Sequence, residues 1–174
     1  NPLRAILPFI PASSFKVANA LIALETGVVR DVDEVIPHGG RPQPVAAWQR
    51  DMSIRDAVPL SAVPIFQEIA RRVGLARYRE WLPRLAYGNA DPGEDVEHFW
   101  LRGPLAISAM EQVRFLGRLA TGRLDASQAA QAAVRSVLLL ERAGDAALFG
   151  KTGWTGRDVA DPVGWWVGWV EGGN

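Results

Sequence analysis

Ser13 and Lys16 stand three residues apart at the head of a helical pattern, in the stretch S-S-F-K. On a helix this spacing brings both side chains to one face, so the lysine nitrogen can reach the serine oxygen. A serine hydroxyl is a poor nucleophile until a base takes its proton. The backbone N–H groups at a helix start favour an oxyanion developing beside them. Nucleophile, base and oxyanion donor therefore fit within a single turn. Ser14 competes for the nucleophile's role, but at two residues from Lys16 it faces elsewhere and is open to use as a cap. Serine is also a preferred helix N-cap, so the four letters alone read first as a capped helix that carries a lysine.

The use of lysine adds weight. The chain holds 17 arginines and only two lysines, Lys16 and Lys151, and each lysine stands beside hydroxyl residues. Lys151 opens K-T-G, with Thr152 and Gly153 at the end of a short apolar run. A glycine there lets a ligand lie close along a strand edge, and lysine with threonine can hold a carboxylate by charge and hydrogen bond. The alternative is a surface turn. Ser61 and Val63 in L-S-A-V precede another helical pattern, where Ser61 has the position of a cap.

The elements that position these residues follow from periodicity. Helices are predicted over 13–26 with a stop at Gly27, over 61–74 with Pro64 in the first turn, and over 76–85, broken by Pro83. Another is expected over 108–122, with Ser108 and Glu111 in capping-box spacing, and a last one over 125–142, with Asp125 and Gln128 in the same relation. Residues 35–44 and 88–95 are loops by their Gly and Pro content. Two strands, 146–153 and 163–171, joined by a connection over 154–162, make an antiparallel hairpin. A hairpin alone is marginal in water, so further sheet partners are expected outside the chain. The fold class is α/β of the α+β type: a mainly helical lobe over 12–145 and a sheet hairpin over 146–174, forming one partial domain.

Composition narrows the function. With 174 residues, 48% hydrophobic and no net charge, the chain supports one domain with a core. It gives no electrostatic reason to expect nucleic acid or an anionic membrane as partner. No apolar run is long enough for a membrane-spanning helix, and no signal peptide is visible. Without cysteine there are no disulfides or thiolate metal sites. His38 and His98 lack metal-ligand spacing, and no metal is expected. The tryptophans Trp165, Trp166 and Trp169 lie on a strand and are read as core.

Taken in order, S-S-F-K, S-A-V, Y-G-N (87–89) and K-T-G resemble the serine-reactive penicillin-recognising superfamily. In detail the chain is similar to the class D β-lactamases, the oxacillinase group, from about Pro11 to Glu171. Their first motif usually reads S-T-F-K, and the change here keeps both Ser13 and Lys16. The resemblance implies a hydrolase that opens the β-lactam amide through an acyl-enzyme on Ser13. It implies that Lys16 is carboxylated by CO₂ and acts as general base, with Trp100 hydrogen-bonding the carbamate and Val63 lining its apolar pocket. Ser61 relays a proton to the leaving nitrogen. Lys151, Thr152 and Gly153 bind the carboxylate region, and the backbone N–H groups of Ser13 and Trp154 form the oxyanion hole. Y-G-N shapes the site wall.

The resemblance also implies a small-molecule β-lactam as partner, no organic cofactor or metal, and a periplasmic or secreted location. Strands before the nucleophile helix, and strands, a helix and a carboxylate-gripping arginine after Glu171, belong to the family and have no counterpart here; Arg157 is not a substitute. Two other readings share these motifs: a β-lactam-sensing receptor domain that is acylated without turnover, and a penicillin-binding protein that processes peptidoglycan. The "GWWVGWVE" stretch is closer to the enzymes than to the sensors, and the Trp100 context disfavours the third reading.

Overall fold

Serine hydroxyls start three of the helices. The computed structural model describes residues 2–157 and 162–172. Ser53 caps α2 (Ile54–Leu60) and Ser108 caps α5 (Ala109–Ala120), each in a full capping box, with Asp56 and Glu111 reaching back. Such boxes satisfy backbone donors that a helix start leaves unpaired. Ser127 caps α6 (Gln128–Leu138), accepting from the Ala130 N–H at 3.1 Å. The expected cap, Asp125, instead pairs with Arg84 at 3.2 Å.

The helix that follows Ser13 begins differently. Residues Ala12–Phe15 form a 3₁₀ turn that hands over to α1 (Lys16–Glu25) without any side-chain cap. From Lys16 to Ala23 every residue of α1 is buried, as befits a central helix apolar nearly all round. It packs against α3 (Val63–Val73) and α6. Helix α4 (Leu75–Arg84) runs through Pro83 where a break was expected. Pro83 lies in the last turn, where only one intrahelical bond is forfeited. Short α2 escaped the periodicity reading because its seven residues span barely two turns.

The sheet has three antiparallel strands in the order β1-β2-β3, namely Leu139–Ala143, Ala146–Trp154 and Gly164–Glu171. Strand β1 replaces the expected C-terminal part of the last helix. At Leu139 the backbone turns extended, and the chain pairs with β2 through a two-residue turn at Gly144 and Asp145. Pairing along β2 outweighs the helical preference of "LLLER". The sheet thus begins inside the stretch read as helical. Of the connection after β2, residues 158–161 lie outside the described residues.

The inner sheet face carries Ala147, Phe149, Lys151 and Gly153, all buried, opposite Trp169, Val167 and Trp165 of β3. Phe149 stacks on Trp169 with ring centroids 4.8 Å apart. Trp166 points the other way and is 56% exposed, against the expectation of a core residue. Facing residues in an antiparallel pair share one side of the sheet, so Trp166 accompanies Thr152 on the outer face.

Candidate active site

Lys16 is the best-buried cation of the molecule: 0% exposed, in the first turn of α1. Its Nζ donates to the Ser13 Oγ at 2.5 Å. The nitrogen lies 4.8 Å from the centre of the Trp100 ring and 5.5 Å from that of Phe66. Burial, and secondarily the charge of Lys151, hold its pKa well below the usual lysine range. Desolvation disfavours a charged amine, so this group is prepared to be neutral, and a neutral amine can accept a proton.

An aromatic cluster builds the pocket. Phe15 packs against Tyr78, Tyr87, Phe99 and Trp100 with centroids 5.2–6.1 Å apart. Asn19 anchors the far side: its Nδ2 donates to the Phe66 carbonyl at 3.2 Å and its Oδ1 accepts from the Tyr78 hydroxyl at 2.6 Å. Trp100 is 0% exposed, and its indole Nε1–H is buried with no hydrogen-bond partner. Leaving such a donor unmet costs about 1–3 kcal/mol, so an orphan beside Lys16 points to an acceptor that belongs there. Val63 opens α3, half-buried against the core, and Phe66 one turn on adds a second ring over Lys16 beside that of Trp100. The signal for Phe66 was its i+3 relation to Val63, which the family motif does not include.

Ser61 is not an N-cap. It ends α2 in the left-handed region at φ 52°, and this turn presents its hydroxyl to the sheet. Lys151 Nζ donates to the Ser61 Oγ at 3.0 Å and to the Thr152 carbonyl at 2.9 Å. Burial lowers the Lys151 pKa to about 8. Thr152 is exposed beside it, and a cavity of ≈310 Å³ opens there between Val58, Pro59, Leu139 and Trp166. The larger hollow of ≈620 Å³ is lined by Arg114, Arg118 and Arg123 and by none of these residues.

The sheet edge completes the site. β1 pairs with β2 only as far as Phe149, so Gly150–Trp154 pair with β3 alone. Thr155 N–H donates to the Val163 carbonyl of the β3 side at 3.2 Å. Successive N–H groups alternate between the two edges of a strand, so the Trp154 N–H points away from β3, to the open edge. Gly153 also lets the sheet lie close against the turn that carries Ser13. A Cβ there would sit 2.9 Å from Ser14 N, 3.1 Å from Pro11 O and 3.3 Å from Ser13 N, so the backbone of the Ser13 turn approaches this face of the strand closely. Gly153→Ala is expected to cost about 1–3 kcal/mol by overpacking and to slow acylation by displacing that turn. Thermal unfolding and stopped-flow acylation would show both, and a variant with wild-type stability and rate would refute the contact.

Other expectations shift. Ser14 does not cap a helix: it is buried and bonded to Pro11 and Gln112. In the Y-G-N stretch, Tyr87 packs on Phe15 within the aromatic cluster while the asparagine turns to the following loop. Asn89 accepts from the Ala106 N–H at 3.0 Å and donates to the Pro104 carbonyl at 2.9 Å, pinning the loop that follows Trp100. His38 and His98 each lie beside a single aspartate, Asp51 and Asp95. Among the described residues no group of three His, Cys, Asp or Glu side chains assembles, and no helix is long and apolar enough to cross a membrane.

Comparison with known proteins agrees with this geometry. A family model for the penicillin-binding-protein transpeptidase domain matches residues 6–174. The chain is 43% identical over 176 residues to the β-lactamase OXA-5 of Pseudomonas aeruginosa, covering 100% of this chain and 66% of that protein. It is 43% identical over 171 residues to the β-lactamase OXA-48 of Klebsiella pneumoniae, covering 98% and 64%. The chain thus spans slightly less than two thirds of the length of these curated relatives. Among solved structures, that of FUS-1 (OXA-85), a class D β-lactamase from Fusobacterium nucleatum subsp. polymorphum, superposes with a TM-score of 0.95 at 42% identity, over 98% of this chain and 71% of that one. A buried lysine on a serine, a second lysine on another serine and an open strand edge, in a backbone shared this closely, place the protein by descent: the chain belongs to the class D β-lactamases, within the penicillin-binding-protein transpeptidase-domain family.

Proposed function

We propose that the protein is a serine β-lactamase that hydrolyses the β-lactam amide of penicillin-type antibiotics through an acyl-enzyme on Ser13, with Lys16 carboxylated as its general base. The observation that carries this reading is the fully buried Lys16 amine, 2.5 Å from the Ser13 Oγ and beside the unpartnered indole N–H of Trp100. The pocket suits a carbamate: CO₂ reacts with a neutral amine, burial supplies one, and the Trp100 donor awaits an anionic acceptor. Once formed, the carbamate supplies an oxygen base that takes the Ser13 proton and later one from water.

The residues of the chain account for the remaining steps. Lys151 and Thr152 bind the substrate carboxylate at the strand edge by charge and hydrogen bond. The Ser13 Oγ attacks the lactam carbonyl. The Ser13 and Trp154 N–H groups receive the developing oxyanion, where preorganised donors act most strongly. The proton taken from Ser13 passes through the Ser61 hydroxyl, bonded to Lys151, to the departing lactam nitrogen as the C–N bond breaks, which frees the base for the second step. Water, deprotonated at the site, then attacks the ester, and Ser13 recovers its proton as the product leaves. A periplasmic or secreted location is part of the same proposal.

The test is direct. Full-length protein treated with a penicillin is expected to carry the opened drug on the Ser13 peptide by mass spectrometry and to lose it over time as product accumulates. Label on Ser14, or label surviving Ser13→Ala, would overturn the assignment. A Ser13 adduct that never turns over would replace the hydrolase with a sensor.

A further inference from the structure

The turn that carries the nucleophile is held from three sides. Ala12 has φ 48°, in the left-handed region, although it is not glycine. Such a backbone persists only where its surroundings over-determine it. β3 contributes the Trp165 Nε1–H, which donates to the Ile10 carbonyl at 2.9 Å. β2 contributes Gly153, whose missing Cβ lets the strand lie against Pro11, Ser13 and Ser14. The third side is α5.

From α5, Gln112 reaches the turn with a buried side chain, 2% exposed. Its Nε2–H donates to the Ser14 Oγ at 2.6 Å, and the Ser14 hydroxyl spends its one proton on the Pro11 carbonyl at 2.7 Å. That carbonyl also accepts from the Ser14 N–H at 3.1 Å. The directions are fixed: Ser14 donates to Pro11, so its oxygen can only accept from Gln112. The Tyr87 hydroxyl is buried against the same pair, outside hydrogen-bonding geometry. Ser14 therefore stands in a one-way chain from α5 to the peptide before the strained residue. The next residue back from Ser14 supplies both the attacking oxygen and an oxyanion-hole N–H.

We propose that Gln112 and Ser14 are positioning residues for acylation: their hydrogen-bond chain holds the Ser13 Oγ and N–H in register with Lys16 and with the Trp154 N–H. The inference rests on the acyl-enzyme reading above. Neither side chain touches substrate. Their effect is on the attack geometry and the oxyanion contact, so it falls on the rate of acylation more than on binding. A misplacement of about 1 Å in a reacting group costs on the order of 100-fold.

Gln112→Met keeps length and burial but removes the donor. Ser14→Ala removes the chain's middle, and Ser14→Thr keeps it. In full-length protein, stopped-flow acylation by a chromogenic cephalosporin well below the melting temperature is expected to slow about 10- to 100-fold in Gln112→Met and in Ser14→Ala. The apparent dissociation constant should change by less than about threefold, as for an interaction made only in the transition state. Ser14→Thr should acylate like wild type. The double variant Ser14→Ala/Gln112→Met should be no slower than the slower single one, because the two act as a unit. Folded variants that acylate at the wild-type rate, whatever their melting temperature, would reduce the chain to a structural tie and overturn the inference. Additive losses would do the same. A wild type that forms no Ser13 adduct sinks the acyl-enzyme reading and this inference with it; a normal wild type with normal variants sinks this one alone. The contact is tested from both ends, so loss of folding at one position still leaves the other to decide.

Discussion

Lys16→Met is expected to lower β-lactam turnover by about 10²–10⁴-fold, the usual contribution of a positioned base, while leaving the fold at least as stable. Methionine fills similar space with no charge to desolvate, in a site that is 0% exposed and walled by Phe66 and Trp100. The stability gain is pH-dependent, with a definite sign. Lys16 has a lowered pKa in the folded state, whereas the unfolded lysine keeps its proton to about pH 10.4. Between those limits the unfolded state binds more protons, so wild-type stability rises with pH by about 1.4 kcal/mol per unit per lysine. Lys151, lowered to about 8, adds the same slope from there upward. In degassed buffer on the approach to pH 10, Lys16→Met should therefore show a shallower slope than wild type in denaturant melts. Turnover within tenfold of wild type would remove Lys16 from the chemistry, and equal slopes would mean that its amine is charged in the native state.

Trp100→Phe isolates a single N–H. The ring that packs against Phe15 is largely kept, but the donor with no partner is gone. A hydrogen bond to a charged group contributes about 1.5–3 kcal/mol, so carbamate occupancy on Lys16 should fall about 10- to 100-fold at limiting CO₂. Deacylation should slow more than acylation, and added bicarbonate should restore part of the rate. Low pH should remove it, because protonating the Lys16 amine competes with its reaction with CO₂. The readout is ¹³C NMR after ¹³C-bicarbonate labelling, alongside burst and steady-state kinetics. A fully active Trp100→Phe enzyme, or an active wild type without a carbamate signal, would exclude this mechanism.

Much of the site could be read before the fold was known, because its chemistry is local. Ser13 and Lys16 lie within one turn, and K-T-G is contiguous, so spacing alone brings their groups together. Residues that meet only in three dimensions were not legible in that way. Phe66 and Gln112 read as ordinary positions on amphipathic helices, and nothing in "EQVRF" announces a bond to Ser14. At Gly153 the sequence signals a close approach, but that the Ser13 turn makes one is visible only in three dimensions. Strand β1 was hidden by a real ambiguity: "SVLLLER" has helical periodicity, and only pairing along β2 decides against it. The Gly144-Asp145 pair between two apolar runs was the hairpin signal that could have found it. For Asp125, the pairing with Arg84 of another helix took a side chain that local spacing had assigned to a cap.

The ties between sheet and turn have a consequence for the order of events in the life of the chain. Trp165 reaches Ile10 across 155 residues, and Lys151 reaches Ser61 across 90. Chains are synthesised at about 5–20 residues per second and the N-terminal part can order first, so Ser13 and Lys16 exist for several seconds before Trp154 does. On the proposed mechanism, the serine then has its base but neither the second oxyanion donor nor the strand that seats a substrate. On the proposed mechanism, a chain that stops short of Trp154 lacks these parts although its Ser13–Lys16 pair is whole.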